Sequence, residues 1–196
     1  MKSEALIEKA KTSAHGIFMN KQANCAEVVF EAIQEIVAND FPREVSRLMT
    51  PFGGGVGISG ANCGAMLGGM AALALCYGRG DPHENSLENH RRHLWKTYAF
   101  YNQLPHRFRK RFGTIECRDL IRSHIYGTRN CREFCENVVA ETAGLVMELL
   151  IEAEEKGLNF GFKESILTQG AKATGLTIED LIDHKAKAIP FPIKDR

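Results

Sequence analysis

The 196-residue chain is long enough for one domain with a hydrophobic core and short for two. Its 25 basic and 24 acidic residues give a formal charge of +1, a balance that argues against broad electrostatic binding to nucleic acid or an anionic membrane. The most apolar window, Ala65 to Cys76, is glycine-rich and falls short of the roughly 20 apolar residues that a transmembrane helix needs.

Helix-period patterns with caps recur along the chain, and alternating strand patterns are absent. The first residues run straight into an amphipathic pattern with no apolar signal core, so the expectation is a cytoplasmic protein. A first helix is predicted from about Ser3, with Ala5, Leu6, Ile7 and Ala10 as its apolar stripe, towards His15-Gly16. Asn24 is a good N-cap for a second helix, and Glu27 completes a capping box. Pro42 suits the first turn of a short helix through Val45, Leu48 and Met49. The glycine-rich run Pro51 to Gly60 follows and leads to Asn62, the expected cap of a helix from Cys63 to about Tyr77.

Gly78 and Gly80 end that helix, and Pro82 marks a new start. A charged segment from His83 towards Leu104 places Leu87, Leu94, Tyr98 and Tyr101 on one face, until Pro105 breaks it. Thr114 is read as capping a short helix with Cys117, Leu120 and Ile121. Asn130 and Glu133 are read as the capping box of a strong helix to about Lys156. A last capped helix is expected from Thr177 through Ile182. The reading is therefore an all-α, single-domain bundle of about six to eight helices. Residues 1–162 form its main body, and 163–196 a helical extension packed on or trailing it.

There are six cysteines: Cys25, Cys63, Cys76, Cys117, Cys131 and Cys135. In a reducing compartment, cysteines point to metal binding or redox chemistry more than to structural disulfides. Cys25, Cys63 and Cys131 each follow an asparagine, and Cys117 falls in the first turn of its own predicted helix. Unpaired N–H groups and the helix dipole there favour an anion, so these thiols are expected to have lowered pKa values. Cys131 and Cys135 stand four apart and share one helical face, where they could share a metal. Cys76, at the apolar end of its helix, is read as packing.

Read together, these segments resemble the family of redox-active proteins described by the pattern C-GCAxxG-C-C. Cys63-Gly64-Ala65-Met66-Leu67-Gly68 is similar to its central signature and is preceded by the glycine-rich loop that the family also has. Cys25 in Asn24-Cys25-Ala26-Glu27, Cys117 in Glu116-Cys117-Arg118-Asp119, and Cys135 ahead of Val139 resemble the other three positions. The resemblance covers roughly Asn24 to Leu150, and Cys76 and Cys131 are additions to the pattern. It implies a redox-active or metal-binding protein, often encoded near transport genes. A similar domain accompanies c-type haems and an iron–sulfur centre in some cytochromes, but this chain has no Cys-x-x-Cys-His for covalent haem.

From the thiols and the resemblance together we expect an iron–sulfur centre held by Cys25, Cys63, Cys117 and Cys135, serving electron transfer or redox sensing. One alternative is a metal-free thiol–disulfide protein in which Cys63 attacks and Cys25 or Cys117 resolves. Another is a structural zinc or interaction module. Gly55, Gly57, Gly60 and Gly64 are expected to let backbone N–H groups approach the cofactor sulfurs. The string Gly55-x-Gly57-x-x-Gly60 lacks the flanking strands of a dinucleotide site. The partner would be a redox protein or a membrane transporter component, with no nucleic acid. The small-residue ridge Gly64, Gly68 and Ala72 offers packing for another helix, and with the Phe-rich segments a surface for a homodimer. His90 and His93, three apart, and the basic cluster His106 to Phe112 are read as charged, solvated faces.

Overall fold

The computed structural model describes residues 2–20, 23–80 and 95–182. The expectations for Pro82 to Leu94, with His83, His90 and His93, and for the end of the extension, 183–196, lie outside them. Among the described residues there are helices and turns and no strand, and the one β-type pairing is an isolated bridge between Asn62 and Glu116. The protein is all-α. No described helix is long and apolar enough to cross a membrane.

The first helix, α1, spans Lys2–Asn20 and runs past the predicted stop at Gly16. A Cβ at Gly16 would meet nothing within 4 Å, and beyond it Ile17 and Phe18 are buried, so packing carries the helix on. Helix α2, Cys25–Gln34, opens on the predicted capping box: Asn24 Oδ1 accepts from the Ala26 and Glu27 amides, and Glu27 accepts from the Asn24 amide at 2.8 Å. The segment after Pro42 is a 3-10 helix, Arg43–Phe52, with Pro51 inside it.

Helix α3, Gly64–Tyr77, starts one residue later than expected: Cys63 itself is the N-cap, because Asn62 is taken by the bridge to Glu116. It is apolar on nearly every side, as befits a helix inside a bundle. Residues 95–101 are helical and lead into α4, Gln103–Phe112, with Pro105 tolerated in its first turn. A short α5, Cys117–Leu120, follows a cap at Glu116 rather than Thr114, whose hydroxyl instead accepts from the Glu116 amide.

Helix α6, Arg129–Lys156, is the spine: 28 residues, about 42 Å long at 1.5 Å per residue. Its cap is Thr128, not the predicted Asn130, and Glu133 pairs with Arg129 at 2.8 Å instead of closing a box. Helices α1, α3 and α4 pack on this spine, and α2 packs between α1 and α3. The core they enclose includes Ile33, Leu73, Phe100, Leu104, Phe108 and Leu149, fully buried. Each such side chain contributes about 1.5–3 kcal/mol of transfer free energy.

The basic cluster on α4 is exposed at Arg109 and Lys110, as a solvated face would be, and forms a seam through Arg107 and Arg111. Arg107 makes a bidentate pair with Glu152 of α6 at 2.7 and 2.9 Å, and Arg111 reaches Glu141 at 3.1 Å, where Lys11 of α1 also arrives. The Arg107 hydrogen bonds hold the Glu152 carboxyl below its ordinary value. After α6, α7 (Ile166–Thr174) and α8 (Ile178–Ile182) pack on each other. The Lys163 amide and the Glu164 carbonyl tie this part back to Asn102 and His106.

Candidate functional site

Thiols from four elements come together because four separate local devices fix their starts. The Asn24 capping box sets Cys25 as the first residue of α2. The Asn24 side chain also donates to the Thr50 carbonyl, while Thr50 donates to Glu27 at 2.6 Å, so the start of α2 is tied to the end of the 3-10 helix.

The chain next makes a turn of unusual hand. Gly54, Gly55, Val56, Gly57 and Ile58 all have φ between 61° and 73°. L-residues pay about 1–2 kcal/mol each for this conformation, which explains the three glycines and marks Val56 and Ile58 as strained. Both of those side chains are exposed. The turn is closed by the Ile58 amide on the Gly53 carbonyl, the Gly60 amide on Gly54 and the Ala61 amide on Gly55.

The turn delivers a short zipper. The Cys63 amide donates to Ile115 and the Cys117 amide to Ala61, each at 2.7 Å, on either side of the Asn62–Glu116 bridge. Arg118 clamps the same strip by donating to the carbonyls of Ser59 and Gly60. The starts of α3 and α5, and hence Cys63 and Cys117, are thereby held side by side. Opposite them the Thr128 hydroxyl accepts from the Cys131 amide at 3.4 Å, which fixes Cys131 in the first turn of α6 and Cys135 one turn on.

Cys25, Cys63, Cys117, Cys131 and Cys135 all line one cavity of about 210 Å³. Its other walls are apolar, Phe18, Leu120, Phe134 and Val138 among them, and Arg132 is the one charged residue in the lining. Arg132 is turned on Phe18, donating to its carbonyl and lying over its ring at 4.5 Å. The exposed Tyr126, with Gly127 and Thr128, forms the rim. The four thiols expected from the family pattern are therefore brought together, and Cys131 joins them. Cys76 does not: it is exposed at the far end of α3, which also overturns its reading as a packing residue. None of the described histidines lines the cavity. His15 meets Glu136, His106 meets the Glu164 carbonyl, and His124 stacks on Phe134.

The expected glycines fall into two groups. Gly64 is a close-approach position, since a Cβ there would lie 2.5 Å from the Cys25 sulfur and from the Phe52 carbonyl. At Gly55 a Cβ would lie 2.7 Å from the Cys117 Cβ. Gly57 faces open space, and Gly60 stands beside the Arg118 stem. Gly54, which was not singled out, lines the cavity itself.

The electrostatics reverse the expectation of acidic first-turn thiols. Burial pushes Cys63 up to about 12 and Cys117 to about 11, with neighbouring thiols adding to the rise. Cys25 and Cys135 also move up, burial leading in both. The Gly54, Ala26 and Ala65 amides oppose the rise at Cys25, and the Ala65 and Met66 amides oppose it at Cys63, but desolvation outweighs them. At these sulfurs burial outweighs what the helix starts offer.

Five soft donors around an apolar hollow suit a thiophilic centre. As they stand, no three His, Cys, Asp or Glu side chains among the described residues are gathered closely enough to hold a single metal ion. A family model described as "Putative redox-active protein (C_GCAxxG_C_C)" matches residues 23–149, a span that contains all five cavity thiols. No curated protein and no solved structure matches the chain.

Proposed function

We propose, for a chain that belongs to the C_GCAxxG_C_C family of redox-active proteins, a cysteine-ligated centre of the iron–sulfur type that works in electron transfer or redox sensing. Cys25, Cys63, Cys117 and Cys135 would hold it, and it would supply an electron-accepting and electron-donating couple. The observation that carries this reading is the convergence of these thiols, from the starts of α2, α3 and α5 and the first turns of α6, on one small apolar cavity.

The raised thiols support it from a second side. Without a cation they are protonated near neutrality, and a bound cationic centre is what would let them ionise, releasing protons as it loads. The apolar wall surrounds the sulfurs, and Gly55 and Gly64 let backbone approach Cys117 and Cys25 closely. Gly57 and Gly60 shape the turn around them. The same burial speaks against Cys63 as the attacking thiolate of a metal-free enzyme, because a thiol at about 12 is a scarce nucleophile at neutral pH. A cytoplasmic setting, with a redox protein or a membrane transporter component as partner, is the context this reading implies.

The test is iron, zinc and acid-labile sulfide content, with a visible spectrum, on the full chain purified without oxygen. Iron with sulfide and a thiolate-to-metal charge-transfer band is the expected result. Zinc alone would replace the redox centre by a structural one, and protein free of iron, sulfide and zinc would refute the proposal.

A further inference from the structure

Cys131 stands outside the four-position family pattern, yet it lines the cavity with the other four thiols and is 3% exposed. Cys131, Phe134, Cys135, Val138 and Val139 all line that cavity, at the spacings of three and four residues that make one face of a helix. The start of α6 is pinned against rotation. Thr128 caps it through the Cys131 amide, Arg132 is held on the Phe18 carbonyl of α1, and Glu136 meets His15 of α1 at 2.6 Å. Both thiols of α6 therefore stand on the cavity wall, whereas α2, α3 and α5 each bring one.

No three metal-ligating side chains among the described residues are gathered closely enough to hold an ion as they stand, so a cation entering the cavity starts on two donors. For thiols on different elements, sharing it depends on how those elements close. For Cys131 and Cys135 the separation is set by one helix, in which Cβ atoms four residues apart lie about 5–6 Å from each other. Two thiolates on a soft cation such as zinc, at about 2.3 Å each, stand no more than about 4.6 Å apart. Rotation about the two Cα–Cβ bonds reaches that separation. The same spacing is too wide for a disulfide, which needs Cβ atoms about 3.5–4.5 Å apart. The pair is thus spaced to share a metal and not to oxidise to each other.

We propose that Cys131 and Cys135 form a two-thiolate clamp on α6 that takes the first thiophilic divalent cation to enter the cavity. Cys131 is then a metal ligand, and the clamp rests on the metal-binding part of the reading above while assigning a donor that reading leaves unused. On binding, each thiol gives its proton to solvent and each sulfur a lone pair to the cation, with no change of oxidation state. Cys25, Cys63 and Cys117, at the starts of α2, α3 and α5, complete the donor set as those elements close on the held cation.

The experiment adds cadmium-113 at less than one equivalent to the full, reduced, metal-free chain without oxygen. Proton–cadmium correlation spectra then identify the cysteines whose β-protons couple to the metal. Cys131 and Cys135 are expected to couple to the same cadmium. Cys131→Ala is expected to weaken cadmium binding, measured by competition with a chelator, by at least the roughly 10–100-fold that loss of a group supporting a metal ligand costs. Cys76→Ala, outside the cavity, should bind as wild type does, and unchanged far-ultraviolet circular dichroism would show both variants folded. Equal affinity of Cys131→Ala and wild type would overturn the clamp. Cadmium coupled to Cys25, Cys63, Cys117 and Cys135 but not to Cys131 would overturn the clamp and leave the four-thiol centre standing. Cadmium on Cys131 and Cys135, in a chain that takes up no iron or sulfide, would keep the clamp and remove that centre. A chain that binds no cadmium would overturn the clamp whatever its iron content.

Discussion

Replacing Gly68 by alanine tests how closely the walls of the thiol cavity are pressed together. A methyl at this position would sit 2.8 Å from the Cα of Ala26 and closer still to its carbonyl oxygen. The obstacle is the backbone of α2, so α2 and α3 must part by roughly 1 Å, which puts the cost near 3 kcal/mol, the upper end for overpacking. Alanine's helix propensity returns about 1 kcal/mol, leaving a net loss of about 2 kcal/mol. For a chain of this length that lowers Tm by roughly 4–8 °C. Gly16→Ala in α1 is the matched control: nothing lies within 4 Å, and the same methyl should raise stability by about 0.5–1 kcal/mol. Thermal and urea unfolding of both variants would measure the pair. Gly68→Ala melting at or above wild type, or the two variants falling alike, would refute the argument from close approach.

Alkali should weaken the metal-free protein. The Cys63 thiol rises from 9.0 to about 12 on folding, so its contribution is fully present below the ordinary thiol value and is lost as pH climbs towards 12. That shift is worth at most about 4 kcal/mol, and a urea midpoint unchanged between neutral pH and the alkaline range would contradict it. Cys63→Ser should remove most of the bound metal while Cys76→Ser, altering an exposed residue outside the cavity, leaves metal content as in wild type; equal losses would break the assignment. Val56→Gly should leave stability unchanged or raise it by up to about 1 kcal/mol, because φ of 62° suits glycine better than a β-branched residue. A fall in Tm would show that the valine side chain contributes more than its strain costs.

Much of this architecture is legible in local chemistry. The Asn24–Glu27 box was readable because both partners lie within four residues, and it forms as expected. The cap choices that failed were decided at longer range. Asn62 is drawn into a bridge with Glu116, and Thr128 caps α6 in place of Asn130 because the chain turns earlier. The four-residue spacing of Cys131 and Cys135 put both on one face, but nothing local says that this face meets the starts of α2, α3 and α5. The direction of the thiol shifts was unreadable for the same reason: a helix start is a property of a few residues, whereas desolvation depends on every wall around the sulfur. Cys76 is the converse case, an apolar neighbourhood in sequence that ends at solvent.

The left-handed turn has a practical consequence for watching the site. Its Gly54 amide faces the Cys25 sulfur, and no side chain at that residue shields it. The amide proton therefore senses the charge on that sulfur directly, through its chemical shift and its rate of exchange with solvent deuterium. A single glycine resonance can thus report loading, oxidation or emptying of the cavity with no label placed inside it.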